Sequence, residues 1–112
     1  MIIEKLVIDY LETCNLGVNV YAETPVDPED YYVIVRRSGG SQADYIRNFT
    51  VYTEVFGKNK LRTAEIHEAV IAAMLEMRDH TEVFRCNLNS DYDATLPSMK
   101  AYRYQALWQI TT

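Results

Sequence analysis

The sequence predicts a small α+β domain: a mainly antiparallel sheet of about five strands with two helices packed on one of its faces. Two observations carry that expectation. Residues 3–14 and 60–78 repeat apolar side chains at steps of three and four, the period of a helix with one buried stripe. Five other segments carry strand patterning, and the order along the chain is α-β-β-β-α-β-β. Apolar residues make up 48% of the 112-residue chain, enough for one core, so a single domain spanning 1–112 is expected.

The first helix shows Ile3, Leu6, Val7, Tyr10, Leu11 and Cys14 on one side and Lys5, Asp9 and Glu12 on the other. Gly17 suits the left-handed conformation that ends a helix, which puts the stop near Asn15 or Leu16. Residues 18–22 form a short strand. Residues 23–30 hold two prolines and four carboxylates, the composition of a solvated loop. Residues 31–37 are apolar on both faces and predict an inner strand. Ser38-Gly39-Gly40-Ser41 then reads as a mobile loop reaching Asp44, because glycine loses the most backbone entropy when ordered.

Residues 46–56 alternate, with Phe49, Val51 and Val55 on one face and Thr50, Tyr52 and Glu54 on the other. Asn59 is a good N-cap for the second helix. Its core stripe is Ile66, Ala69, Val70, Ala73, Met74 and Met77, and Ala64, Ile71 and Leu75 make a second, displaced apolar patch. Deep burial and a subunit contact account for that patch equally well. Residues 83–89 are a fourth strand and 89–98 a long polar loop. The closing strand, 100–110, alternates Tyr102, Tyr104, Ala106, Trp108 and Ile110 with Arg103, Gln105 and Gln109.

Sixteen acidic residues against eleven basic give a net charge of −5, which argues against nucleic-acid binding as the main task. No apolar run approaches the length of a membrane span, and the first residues lack a signal-peptide pattern. The two cysteines, Cys14 and Cys86, fall on apolar faces and read as small core residues in a reducing compartment. His67 and His80 have no ligand spacing around them and read as surface groups or, for His80, a helix cap. Asp91 and Asp93 lie in the polar loop without an evident acid or base partner. The sequence offers no catalytic constellation, no metal site and no cofactor motif, so an enzyme is not expected.

Nine tyrosines are many for this length. Tyr10 and Tyr104 belong to the core by position, whereas Tyr45 and Tyr92 sit in predicted loops and suit contact with another surface. The segment Val33-Ile-Val-Arg-Arg-Ser-Gly-Gly40, the exit from Asp44 to Phe49, the strand from Val51 to Phe56, the alanine-rich second helix and the closing run Tyr102-Arg-Tyr-Gln-Ala-Leu-Trp-Gln-Ile-Thr111 together resemble the tail-completion (tail terminator) proteins of long-tailed phages and prophages. In that family a small α+β domain forms a hexameric ring, caps the tail tube, stops its polymerisation and offers a surface for head joining.

The resemblance implies a virion assembly protein at the tail–head junction, present in the host bacterial cytoplasm during assembly. Its implied partners are further copies of itself, the tail tube protein and a head connector or neck protein. DNA is implied only as cargo passing through the channel, and no cofactor or membrane is implied. Arg36, Arg37, Ser38, Gly39, Gly40, Asp44, Tyr45 and Arg47 correspond to a loop that lies near neighbouring subunits or the channel. With Ala64, Ile71, Leu75 and Tyr92 they make up the expected contact set. A head-completion or connector-joining neck protein is the nearest alternative. A monomeric nucleic-acid-binding α+β domain would rest on Arg36, Arg103 and Tyr52.

Overall fold

The computed structural model describes residues 1–112 as two helices and five strands. The elements are α1 (Ile3–Glu12), β1 (Asn19–Tyr21), β2 (Tyr32–Ala43), β3 (Ile46–Gly57), α2 (Lys60–Leu75), a 3₁₀ turn (Met77–Asp79), β4 (Arg85–Asp93) and β5 (Tyr102–Thr111). The expected order and class are therefore observed. The strands form one sheet in the order β1-β2-β3-β5-β4, in which only the β1–β2 pair is parallel.

Both helices cover the same face of the sheet. The parity of the strands decides what lies beneath them: Val33 and Val35 from β2, Phe49, Val51 and Val55 from β3, and Ala106, Trp108 and Ile110 from β5, all buried. From above, α1 contributes Ile3, Val7, Tyr10 and Leu11, and α2 contributes Ile66, Val70, Ile71 and Met74. One polar pair lies at the centre. Trp108 Nε1 donates to Thr53 Oγ1 at 2.9 Å, and both residues are buried. A smaller cluster, Tyr32, Ile34 and Phe56, sits on the opposite face, where Met99 packs against it. The Tyr32 and Phe56 rings stack there at 4.9 Å.

Besides β5, which begins two residues late, four boundaries depart from the sequence expectation. The first helix ends at Glu12, and Asn15 as well as Gly17 takes a positive φ beyond it. The second helix starts where Asn59 predicts, with the Asn59 side chain accepting from the Arg62 amide, but its last turn tightens to 3₁₀. β4 begins two residues late and runs through Asp93, absorbing half of the expected polar loop. The largest departure is β2. Ser38 to Ala43 is not a mobile loop but the outer half of a twelve-residue strand, paired with β3 as far as Ala43 opposite Ile46. Ladder hydrogen bonds to β3 outweigh the entropic cost of ordering two glycines.

Thr53→Val keeps the volume of the side chain and strands the buried Trp108 N–H. It should lower stability by about 1–3 kcal/mol in urea unfolding. At Gly57, where β3 hands over to α2, an added Cβ would lie 2.1 Å from Thr63 Oγ1 and 2.6 Å from the Tyr31 ring. Gly57→Ala should cost about 1–3 kcal/mol by the same measurement.

Candidate functional site

The expected loop is a projecting β-hairpin. β1 accompanies β2 only over residues 32–34, so from Val35 onward the outer side of β2 has no partner strand. A bulge at Ser38 interrupts the ladder with β3 once, and Gly39 and Gly40 then pair with Thr50 and Phe49. Asp44 and Tyr45 close the hairpin with φ of 50° and 68°, the two positive values of a type I′ turn. That turn favours Asn-Gly or Asp-Gly, since an L-residue with a Cβ is disfavoured in the left-handed region. Tyr45 is nevertheless the second residue, and its side chain is 98% exposed. Ile46 beside it is half exposed.

The arginines of the hairpin are not free charges. Arg37 and Arg47 both lie on the helix side and hold their guanidinium groups 4.9 and 4.5 Å from the centre of the Phe49 ring, which is fully buried. On the open face, Arg36 Nε meets Glu54 Oε1 at 2.5 Å, and Arg103 Nη1 approaches Glu54 Oε2 at 3.6 Å. Glu54 is only 4% exposed, so two cations compensate one desolvated carboxylate. Arg36 and Arg103 were the basis of the nucleic-acid alternative. Glu54 offsets one of these two charges, and the single charge left over is no basic footprint.

On α2 the expected second patch divides. Ile71 is buried and belongs to the core, which corrects its place in the contact set. Ala64 is half-buried, and Leu75 is 52% exposed. Leu61, about four turns before Leu75, is 75% exposed and extends that side of the helix. Its position on the Ala64–Leu75 side was readable from the helical period but it falls in the first turn, where apolar residues rarely draw notice. Between α1 and α2 runs a groove of about 1190 Å³, floored by Leu6, Tyr10, Ala69 and Ala73 and rimmed by Lys5, Asp9, Glu76 and Glu82. Tyr10 spans its base, its hydroxyl donating to the Ala73 carbonyl at 2.6 Å.

His67 corrects a second expectation. It is not a surface group but 2% exposed beneath α2, with Nε2 2.5 Å from Asp91 Oδ1 and the ring tilted against Tyr104 at 5.4 Å. The extension of β4 brings Asp91 there, so that carboxylate does have a partner. No hydroxyl or thiol nucleophile joins the pair, and the groove between α1 and α2 is not lined by it. Cys86 is buried in the core, and burial pushes its thiol up to about 12, so it stays protonated. No cluster of three or more metal-binding side chains occurs. Tyr92 lies in β4 rather than a loop and is 46% exposed on the open face. The structure thus brings Arg36 to Arg47 together on one arm and leaves Tyr92 and Leu75 on other surfaces.

No protein-family profile matches the chain, and no curated protein matches it. The fold does have a counterpart among solved structures. A chain described as "Virion of native gene transfer agent (GTA) particle" superimposes with a TM-score of 0.63 at 12% identity, over 94% of this chain and 82% of that one. The two share a fold.

Tyr45→Gly tests whether the tip residue serves the hairpin or something beyond it. Glycine relieves the left-handed strain at that turn position, so stability should hold or rise by up to about 1 kcal/mol in thermal unfolding. A drop larger than that would show that Tyr45 supports the fold itself.

Proposed function

We propose that this protein is a phage-type virion assembly part that forms a ring on the end of a tail tube, stops its growth and presents a surface for head joining. The observation that carries the proposal is the shared fold over 94% of the chain with a component of a gene transfer agent virion. The sequence resemblance to tail terminators supplies the finer role. Three physical features support it. The domain projects a preorganised hairpin whose tip has no contact within the molecule. An apolar strip with Leu61 and Leu75 remains open on α2. No assembled nucleophile or metal cluster offers a competing chemistry.

Size fits the role as well. The molecule measures 44 × 27 × 25 Å, and several such units placed side by side in a ring would enclose a channel. An acidic protein around that channel lets DNA pass without gripping it. We infer that the hairpin arm and the exposed α2 side are assembly contacts. Arg36 helps fix the shape of the arm through Glu54, while Arg37 lies over Phe49 and has no carboxylate partner within the molecule.

Electron microscopy of the purified protein mixed with its cognate tail tubes tests the proposal directly. Rings seated on one end of tubes of uniform length are expected. Bare tube ends, with the protein found instead on head connectors, would favour the head-completion role. Leu75→Glu adds charge at an exposed site, so its unfolding free energy should change by no more than about 0.5 kcal/mol. Capped ends should nevertheless fall about tenfold, because a buried charge in a contact costs at least the corresponding 1.4 kcal/mol.

A further inference from the structure

The sheet ends in two free edges, and these fit one another. The last nine of the twelve residues of β2, 35–43, have no strand on their outer side. At the opposite margin of the sheet, β4 is also nine residues long and is paired on one side only. The alternation of directions across β2, β3, β5 and β4 makes β4 antiparallel to β2. A neighbour that continues the sheet in the same sense therefore meets it in the favourable antiparallel arrangement.

We propose that β4 of one copy pairs with the free edge of β2 in the next copy, in the register that sets Asp91 opposite Arg37. This deepens the proposed ring and rests on that reading. In this register the two nine-residue edges overlap completely, Val35 facing Asp93 and Ala43 facing Arg85. The sides of the sheet agree as well. In β2 the residues on the helix side are Val35, Arg37, Gly40 and Gln42, opposite Thr53, Val51, Phe49 and Arg47 of β3. In β4 they are Asp93, Asp91, Leu88 and Cys86, opposite Tyr104, Ala106, Trp108 and Ile110 of β5.

Each strand carries one bulge, at Ser38 and at Asn89, which reverses its parity midway. Those two bulges fall at adjacent rungs, so the sides match both before and after them. A slip of one residue would set every helix-side residue against an open-side one. The side chains also suit the match. Arg37 meets two carboxylates, Asp91 directly and Asp93 diagonally. The Asp93 carboxylate is already held below its usual range by hydrogen bonds from Thr95, and it stays charged. Leu88 comes beside Gly40, where the missing side chain leaves room for the Arg37 guanidinium, which an added Cβ would meet at 2.8 Å. On the open side Arg36 meets the ring of Tyr92.

The same features explain why such an edge need not aggregate. Bulges and charges spoil flat pairing with an arbitrary strand and leave one complement favoured. Because one copy offers β2 and the other β4, the contact is heterologous and closes into a ring if sheet twist supplies the rotation.

The test is a cross-link in the full chain with Cys14→Ala and Cys86→Ala. Ser41 and Asn87 face each other on the open side in the proposed register, at a separation that suits a disulfide. Ser41→Cys with Asn87→Cys should give, after mild oxidation, a ladder of covalent oligomers on a non-reducing denaturing gel. Each single variant should stop at dimers or below, and Gln42→Cys with Asn87→Cys, on opposite sides, should give no ladder. Native mass is measured on the same samples. A ladder with the mass of one closed oligomer supports both the pairing and the ring. A ladder of open, polydisperse chains supports the pairing and overturns the ring. A closed oligomer without the ladder overturns the pairing and leaves the ring standing. Monomers alone, even with tail tubes added, would overturn both.

Discussion

The fold depends on β3 being paired along its whole length. It is twelve residues long, bonded to β2 on one side and β5 on the other, and its helix-side face is buried from Phe49 to Val55. Phe49, Val51 and Val55 meet the two helices, while Glu54 and Phe56 lie under side chains of the opposite face. A strand in that position fixes the lengths of its neighbours. β2 follows it into the hairpin because an unpaired half of β3 would leave backbone groups without partners. β5 follows it to Thr111, and the Arg47 and Thr112 backbones exchange hydrogen bonds at the margin.

Polar groups inside this frame are few, and all but His67 Nδ1 have a partner. Thr53 satisfies the Trp108 indole, Asp91 meets His67, and Glu54 is shared by two arginines. Each pair joins different elements, so each fixes a register as well as satisfying a buried group. Placing Asp91 against His67 requires the bulge in β4, since without it Asp91 would point to the open face. The arginine-rich hairpin follows the same logic. Its cations cover Phe49 and Glu54, leaving the tip and its free edge as the parts without internal partners.

The surfaces that remain are therefore distinct in kind. The hairpin offers unpaired backbone and an exposed tyrosine, α2 offers an apolar strip, and the open sheet face offers hydrogen-bonding groups such as Gln109 and Thr50, bonded to each other at 3.0 Å. A monomer that worked alone would have little use for a stiff arm reaching away from its core. A part of a larger assembly gains from it, since a preorganised arm loses less entropy when it docks.

Periodicity alone determined the two helices, the five strands, their order and the core residues on the helix face, because burial on one side writes a period of 3.6 or 2 into the chain. Residue type placed the Asn59 cap, and position in a connection marked Tyr45 as exposed. The hairpin, the buried His67 and the division of the α2 patch were decided only by tertiary structure. Gly39 and Gly40 carry no strand signal of their own, and only the length of β3, which an opposing strand of seven residues could not match, implied the extension of β2. His67 looks like any polar residue on a helix until the bulge in β4 turns Asp91, 24 residues further along the chain, toward it, and Ile71 is core rather than contact because it packs into the main apolar cluster. Pairing between distant strands settles such matters, and no local pattern of residues records it.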